Sequence, residues 1–146
     1  MRVFDHSMLR SFFVPILAML AAGHSTAQFT LQVELTRPDD GGELYIALCN
    51  GRTAYEEVKG CHERRRAVDA PVVEIVFPDL PPGEYAVKAL HDLNGNKEMD
   101  FSIVGMPKEP YGFSNNVMGM FGPPDFDDAK IKVGNAPATA RMRMRN

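Results

Sequence analysis

The sequence predicts an all-β protein, an immunoglobulin-like sandwich of about seven strands in two packed sheets with one long ordered loop. Apolar and polar residues alternate with a period of two along most of the chain after residue 28. Clusters of Gly, Pro, Asn and Asp separate the alternating segments, and only residues 54–59 have helical character, for about one turn. Each such strand buries one face, so two sheets packed face to face are expected.

The N-terminus has the order of features that is typical of a secretory signal peptide. A positively charged start precedes an apolar run over residues 12–22, which is too short to span a bilayer. Ser25 and Ala27 then supply the small residues that a cut before Gln28 requires. We therefore expect a signal peptide over residues 1–27 and a single domain over residues 28–146, exported to the periplasm or the extracellular space. No second apolar run follows, so no integral membrane segment is expected after cleavage.

Net charge and cysteine content indicate which partners, metal sites and cross-links are expected. The net charge of -3 at pH 7 provides no general electrostatic footprint for nucleic acid, so we expect no nucleic-acid partner. After residue 27 there are only two histidines, His62 and His91, and two cysteines, Cys49 and Cys61, so a zinc site of the Cys and His type is poorly supplied. Both cysteines lie in the part expected to be exported, where an oxidising compartment favours a disulfide between them. Two buried thiols are the alternative.

The first two predicted strands are residues 29–36 and 43–49. Strict alternation over residues 29–36 indicates one buried and one solvated face. Residues 43–49 are apolar on both faces, which is typical of a strand at the centre of a sheet. Turn-forming residues 38–42 separate the two, and we expect these strands to pair as a hairpin.

Two further pairs of strands complete the predicted sheets. Residues 72–77 and 84–90 flank a Pro-Gly turn and are expected to pair with each other. Residues 130–133 and 138–145 alternate again near the end of the chain. We expect the core where two apolar rows face each other: Phe29, Leu31, Val33 and Leu35 against Tyr85, Val87 and Ala89.

Residues 62–66 contain three consecutive arginines and are predicted to form a charged edge strand, because charge on an edge discourages pairing with other chains. These arginines and several outward-facing basic residues could form a basic stripe on one face: Arg64, Arg65, Arg66, Lys130, Lys132, Arg141, Arg143 and Arg145. We interpret the stripe as a solvated surface. An anionic envelope polymer as its ligand is the alternative.

The long loop over residues 105–128 has no sustained periodicity, yet it is rich in large apolar side chains that a solvated tail would not carry. It is expected to pack down as an ordered cover on one end of the β core. The alternative is a ligand-binding surface. The candidate binding residues are the aromatic and asparagine side chains of this loop together with one histidine: His91, Tyr111, Phe113, Asn115, Asn116, Phe121 and Phe126.

Residues 92–100 place oxygen-bearing side chains at every second position, as at the start of an EF-hand calcium loop. The candidate metal ligands are Asp92, Asn94, Asn96 and Asp100. Lys97 occupies the position at which that loop needs Gly, and Ile103 occupies the position of its bidentate Glu. Hard oxygen ligands favour Ca²⁺ over a transition metal, and the alternative is a polar turn without metal.

Four blocks of sequence resemble an uncharacterised bacterial family catalogued as domain of unknown function 2141. They are residues 78–85 (PDLPPGEY), 91–96 (HDLNGN), 112–116 (GFSNN) and 122–126 (GPPDF), in the order and at the spacing of the family. The resemblance covers essentially all of residues 28–146. It implies an exported β-sandwich of Greek-key, transthyretin-like type without an established activity.

The resemblance also assigns family positions to residues of this chain. The histidine-aspartate pair of the family falls on His91 and Asp92, its asparagine turn on Asn94 and Asn96, and its closing aspartate on Asp100. This chain departs from the family at Lys97, where glycine is common, and at Cys49, where phenylalanine is usual.

These features favour a non-catalytic binding or structural module of the cell envelope over an enzyme. Its partner is expected to be an envelope ligand or protein, which the sequence does not identify. The alternative is a transthyretin-like hydrolase, with His91 as a general base oriented by Asp92 and Ser114 as the nucleophile. Neighbouring residues of a strand point to opposite faces, and no strand-to-helix nucleophile elbow is present in the sequence.

Overall fold

A computed structural model describes residues 26–146, which form eight strands and two short helices. The strands are β1 (Ala27–Glu34), β2 (Glu43–Asn50), β3 (His62–Ala67), β4 (Val72–Leu80), β5 (Gly83–Asp92), β6 (Tyr111–Phe113), β7 (Ile131–Val133) and β8 (Ala138–Arg143). The helices are α1 (Gly51–Glu57) and α2 (Phe126–Ala129), and single 3-10 turns lie at Pro38–Asp40 and Ser114–Asn116. The only predicted helical segment, residues 54–59, thus corresponds to α1 and starts three residues earlier than expected.

The strands form two sheets, of three and five strands, that pack as a β-sandwich. In the three-stranded sheet, β1 pairs antiparallel with β4 and parallel with β8. In the five-stranded sheet, the order is β3-β2-β5-β6, and β7 also pairs with β5. The predicted sandwich is confirmed at this level, and β2 has the internal position that its two apolar faces indicated.

The core lies between the sheets and is built from the alternating residues that the sequence indicated. Leu31 and Val33 of β1 and Tyr85 and Val87 of β5 are fully buried in one cluster. Every second residue of each strand points into this core because the strand period is two. The inward rows of β1 and β5 therefore agree with the prediction, and the intervening residues of β5 face the opposite side of the five-stranded sheet.

Both predicted hairpins are wrong. β1 and β2 lie in different sheets, and so do β4 and β5, although each pair is joined by a short link. The first link passes close to the end of β5: a Cβ at Gly42, whose φ is +82°, would lie 2.3 Å from the Asp92 carbonyl oxygen. The links are thus arches from one sheet to the other, which bury the apolar faces of consecutive strands against each other.

A second, smaller core packs between α1, α2 and β5, on the side of the five-stranded sheet that faces away from the main core. It contains Tyr55, Ala86 and Phe126 together with Cys49. The predicted disulfide is formed in the structure, where Cys49 is bonded to Cys61 with 4.3 Å between their Cα atoms. It fastens the end of β2 to the start of β3 across α1.

The charged edge strand is confirmed, since β3 lies at the edge of its sheet and all six of its residues are exposed. A single basic stripe is not formed. Arg65 lies beside Tyr45 in the five-stranded sheet, whereas Arg141 and Arg143 lie on β8 in the three-stranded sheet. The basic residues therefore occupy opposite sides of the sandwich.

The predicted signal peptide over residues 1–27 falls almost entirely outside the described residues. Within residues 26–146, no helix is long and apolar enough to cross a membrane.

Candidate functional site

Asp92, at the end of β5, organises the asparagine-rich loop that follows it. Its side chain is fully buried and accepts hydrogen bonds from three backbone N–H groups, those of Gly95 at 2.7 Å, Lys97 at 2.8 Å and Asn94 at 3.2 Å. Burial raises the pKa of Asp92, but hydrogen bonds from these backbone groups outweigh it and hold the pKa below its ordinary value. The ionised carboxylate is therefore a structural acceptor for the loop.

The other three candidate metal ligands meet at the surface of the same loop. The Asn94 and Asn96 amide NH2 groups both donate to the Asp100 carboxylate. The amide oxygens face the backbone instead, because Asn94 Oδ1 accepts from the N–H of Asn96 at 3.0 Å and Asn96 Oδ1 from the N–H of Glu98 at 2.9 Å. The structure brings the three side chains together, but both amides present donors to Asp100.

Glu109 anchors the far side of the loop, a role that the sequence did not indicate. It is buried, and its carboxylate accepts from the backbone N–H of Leu93 at 2.8 Å and of Asp100 at 3.3 Å. Across residues 26–146 no three His, Cys, Asp or Glu side chains form a group that could hold a metal ion. The polar turn accounts for this loop without a metal, and calcium binding stays a prediction.

His91 and Asp92 are not arranged as a catalytic pair. His91 is fully buried on the core face of β5, and its Nε2 lies 2.6 Å from the Gly41 carbonyl oxygen, which makes Nε2–H the donor. Its Nδ1 is buried without a hydrogen-bond partner among the described residues. Asp92 points to the opposite face, as alternation along the strand requires.

Ser114, the candidate nucleophile, is buried and fully engaged in hydrogen bonds. Its hydroxyl donates to the Ala129 carbonyl oxygen and accepts from the N–H of Val87 at 2.9 Å. These bonds fix the 3-10 turn at Ser114–Asn116 to β5 and to the end of α2. The geometry therefore gives the side chain a structural role.

The structure separates the candidate binding residues into two groups. Asn115 donates to the carbonyl oxygens of Asp128 and Lys130, and Asn116 accepts from the N–H of Arg143, so both residues tie the loop to its neighbours. Phe126 is buried against Tyr55 in the second core, and His91 lies in the main core. Tyr111 and Phe121 line an open surface, and Phe113, which is buried in the second core, also contributes to its lining.

That surface is a groove of about 1240 Å³ on the outer face of the five-stranded sheet, which we call the sheet groove. Its floor consists of two rows of outward side chains that cross the paired strands. One row runs from Arg65 through Tyr45 and Leu90 to Tyr111, and the other from Glu63 through Ala47 and Lys88 to Phe113. Ala47, the smallest side chain of this row, lies directly beside Lys88 and lines the groove.

Two loop segments form the walls of the sheet groove. The first is a small hairpin over residues 100–108, closed by backbone hydrogen bonds from Lys108 to Asp100 and from Ser102 to Met106, both 2.8 Å. The second is the tight turn at residues 119–123, where a Cβ on Gly119 would lie 2.0 Å from the Gly122 carbonyl oxygen. Both walls expose large apolar side chains, among them Phe101, Met106, Met120 and Phe121, the last with an exposed fraction of 99%.

Lys88 is the central charge of the sheet groove. Its Nζ lies 4.3 Å from the centre of the Tyr55 ring, which is a cation–π contact. Partial burial lowers the pKa of Lys88, against an opposing influence of Glu56. No carboxylate of residues 26–146 lies within ion-pair distance of its ammonium group.

The other charges of the sheet groove lie at its margins. Lys97 lines the wall, and Arg65 at the outer strand pairs with Glu43 at 3.4 Å. Arg64 also lines the groove, but its guanidinium group lies 5.2 Å from the centre of the Phe77 ring. Glu63 is the one acidic residue that lines this part of the described structure. The groove is therefore apolar with an excess of positive charge.

The floor of this groove was not expected from the sequence. Tyr45, Lys88 and Leu90 lie in segments that were predicted only as strands. The available signal was Lys88, a charged residue among the apolar residues of segment 84–90. Such a lysine indicates that one face of the strand is open.

Comparison with known proteins identifies the family. Residues 32–141 match the bacterial family described as uncharacterized protein conserved in bacteria, domain of unknown function 2141. A search of curated proteins finds no match. Among solved structures, a pilus-presented adhesin, Cpa, aligns with a TM-score of 0.34 and 12% identity, over 82% of this chain and 27% of its own. The chain thus spans about a quarter of that adhesin. The match over most of the sequence shows that the chain belongs to this bacterial family.

Proposed function

Because the chain belongs to a family whose description states no activity, its function rests on its own geometry, and we propose that it is a non-catalytic binding module of the cell envelope. The observation that carries the proposal is the sheet groove. Ligand sites are typically concave, mainly apolar, and supplied with a few polar groups, at volumes of about 300 to 1,000 Å³. The groove is concave, mainly apolar and carries a few charged groups, and its volume of about 1240 Å³ is somewhat above that range.

Export to the periplasm or the extracellular space is part of the proposal. The disulfide between Cys49 and Cys61 supports it, because such bonds persist in oxidising compartments and are rare in the bacterial cytosol. The binding surface would then face the envelope, where amphipathic molecules are abundant.

We further propose the transthyretin-like type of Greek-key sandwich rather than the immunoglobulin type. In an immunoglobulin domain the first two strands are neighbours in one sheet. Here β1 pairs with β4 and β8, and β2 belongs to the other sheet. This strand order supports the choice between the two expected types.

Weak calcium binding at Asn94, Asn96 and Asp100 is a second proposal. It is supported by the direct contact of these three side chains on an exposed loop. The amide oxygens of Asn94 and Asn96 now accept hydrogen bonds from backbone N–H groups. To coordinate a cation, both amides would have to rotate and break these hydrogen bonds. We therefore expect a dissociation constant no tighter than that of extracellular calcium modules, on the order of 0.1 to 1 mM.

The proposed function is tested by blocking the groove. The Ala47→Phe variant adds a large ring to the floor of the groove, whereas Thr139→Phe adds the same ring to the exposed face of β8 in the other sheet. Isotope-labelled protein is titrated with separate lipid, glycan and protein fractions of a bacterial envelope and followed by NMR. We expect one fraction to shift groove resonances in the native protein and in Thr139→Phe but not in Ala47→Phe. Shifts that are the same in all three proteins would contradict the proposal.

A further inference from the structure

The geometry points to the class of ligand that the sheet groove takes, an inference that rests on the proposed function. We propose that the sheet groove binds a single-chain anionic amphiphile, with its apolar chain along the floor and its negatively charged head group at Lys88. Three properties of the groove lead to this class: the chemistry of its floor, the charge of Lys88 and the apolar walls.

The middle of the floor, on β2 and β5, offers side chains and no free strand edge. β2 pairs with β3 and β5 on its two sides, and β5 pairs with β2 on one side and with β6, β7 and the Ser114 hydroxyl on the other. Peptides that bind sheets do so by adding a strand to a free edge. Around Lys88 there is no such edge, so a ligand there is recognised through apolar contact and charge.

Lys88 supplies the charge complementarity. Its side chain emerges between Ala47 and Phe113 in the floor, with a cation–π contact to Tyr55 and no carboxylate partner among the described residues. Glu63 lies in the same row but two strands away, beyond Ala47. Neighbouring strands are about 4.8 Å apart, so its backbone is about 10 Å from that of Lys88. An anionic head group would fill a position that no acidic residue of the described structure occupies.

The walls favour an apolar chain over a compact anion. Phe101 and Met106 on one side, and Met120 and Phe121 on the other, expose side chains that water contacts in the free protein. A contiguous exposed apolar surface of this kind marks an interaction site. A chain lying between the walls would remove these side chains from water, which is favourable by roughly 25 cal/mol per Å² of apolar area.

Calorimetry with three twelve-carbon amphiphiles tests the inference: dodecanoate and cationic dodecyltrimethylammonium, both below their micelle concentrations, and neutral dodecanol, below its solubility limit. The protein is recovered after expression of the full chain. We expect dodecanoate to bind about tenfold more tightly than the cationic amphiphile, because charge across an interface sets specificity. Lys88→Gln should weaken dodecanoate binding about tenfold and leave dodecanol binding unchanged. Lys132→Gln, an exposed lysine outside the groove, is the matched control and should change neither.

The possible outcomes separate this inference from the proposed function. If all three amphiphiles bind equally in the native protein and in Lys88→Gln, the groove binds apolar chains and the anionic ligand is refuted. If none binds and Ala47→Phe also fails to change the envelope titration, both proposals fall. Binding to phosphatidylglycerol vesicles without binding of monomeric dodecanoate would replace the inference by membrane docking. A dimer that Ala47→Phe dissociates would place a second copy of the chain in the groove and overturn it as well.

Discussion

The outer faces of the two sheets satisfy their polar groups in opposite ways. On the three-stranded sheet, Arg141 donates to Gln32 at 2.9 Å and Arg143 to Glu34 at 3.0 Å, so each cation has a partner on the neighbouring strand. On the five-stranded sheet, aromatic and aliphatic side chains surround Lys88, which has no such partner in the described structure. The two arginines of the first face are paired with side chains of β1, whereas Lys88 on the second face has a cation–π contact with Tyr55 and no acidic partner among the described residues.

This difference shows that the number of charged side chains on a face does not by itself identify a binding surface. On the three-stranded face, Arg141 and Arg143 pair across strands and are exposed to solvent. The groove also contains charges, but Lys88 is partly desolvated and lies among apolar groups, which is the arrangement expected of a ligand site. Variants that alter one face can therefore be compared with variants that alter the other.

Substitution of Asp92, whose carboxylate holds the loop beside the groove, is expected to have the largest effect on the free energy of unfolding. Asp92→Ala removes a buried carboxylate and leaves three backbone N–H groups without an acceptor. A hydrogen bond to a charged group contributes about 1.5 to 3 kcal/mol, and water can replace part of this at the exposed loop residues, so we expect a loss of about 3 kcal/mol in the free energy of unfolding. Urea titration measures it. Glu34→Ala, which removes an exposed partner on the other face, should lose less than about 1 kcal/mol. Equal losses in the two variants would contradict this account.

The Asp92 carboxylate should also make the free energy of unfolding depend on pH in the acidic range. The pKa of folded Asp92 lies below its ordinary value, so folding favours the ionised form. Its contribution is complete at pH values above the ordinary aspartate pKa and is lost as the pH falls through the folded value. Urea titrations from pH 6 down to pH 2 should therefore show a decline that is smaller in Asp92→Ala. Parallel declines in the two proteins would assign the acid sensitivity to other groups.

The disulfide at the end of β2 should give the next largest effect. Replacing Cys49 and Cys61 by alanine removes a bond that closes a short loop around α1. We expect a loss of about 2 to 3 kcal/mol in the free energy of unfolding, because the unfolded chain gains freedom. Alkylation of the exported protein without reductant, followed by mass spectrometry, checks the bond itself. Addition of two alkyl groups would show that both thiols are free.

Periodicity predicted the faces of the strands but not their partners. Alternation in β1 and β5 indicates which side chains are buried, because that depends only on the local strand geometry. The neighbour of a strand depends on how whole sheets pack, and a short link serves a hairpin or an arch between sheets equally well. The turn residues before β2 and β5 therefore suggested hairpins, while burial of the core favoured arches.

The candidate site was predictable only in part for the same reason. Tyr111, Phe113 and Phe121 were identified from the composition of the long loop, and the structure places them in the groove. Phe126 and His91 have the same chemistry but are buried, and sequence alone cannot distinguish an aromatic ring in a wall from one in a core. Lys88 was missed because its role depends on neighbours from β2 and β6 that are distant in sequence.

Calcium should have a smaller effect on stability than loss of the disulfide. With a dissociation constant on the order of 0.1 to 1 mM, 10 mM calcium stabilises the folded state by about 1.4 to 2.7 kcal/mol. Calorimetry and thermal unfolding with and without calcium measure this, and Asp100→Ala is the control because it removes the exposed carboxylate. The absence of heat and of any rise in melting temperature would leave only the polar turn. Equal stabilisation of the variant would place the cation elsewhere.

The smallest expected effect on stability is at Lys88. Lys88→Met keeps an unbranched side chain of similar length and loses the cation–π contact with Tyr55, worth about 0.5 to 1 kcal/mol. It also removes a partly desolvated charge from an apolar surface, which offsets that loss because burial already disfavours the charged form. We expect the free energy of unfolding to change by less than about 0.5 kcal/mol. Arg143→Met, which breaks the pair with Glu34, should cost a similar amount on the other face.

The two variants should differ in binding. Lys88→Met should lose affinity for dodecanoate, whereas Arg143→Met should keep it, since Arg143 lies on the three-stranded sheet outside the groove. A lysine that contributes little to the free energy of unfolding but much to the free energy of binding has a role in binding and not in folding. If Lys88→Met instead destabilises the protein by more than about 1.5 kcal/mol, the cation–π contact outweighs the desolvation of the charge. Lys88 would then be a structural residue, and the two outer faces would differ in packing alone.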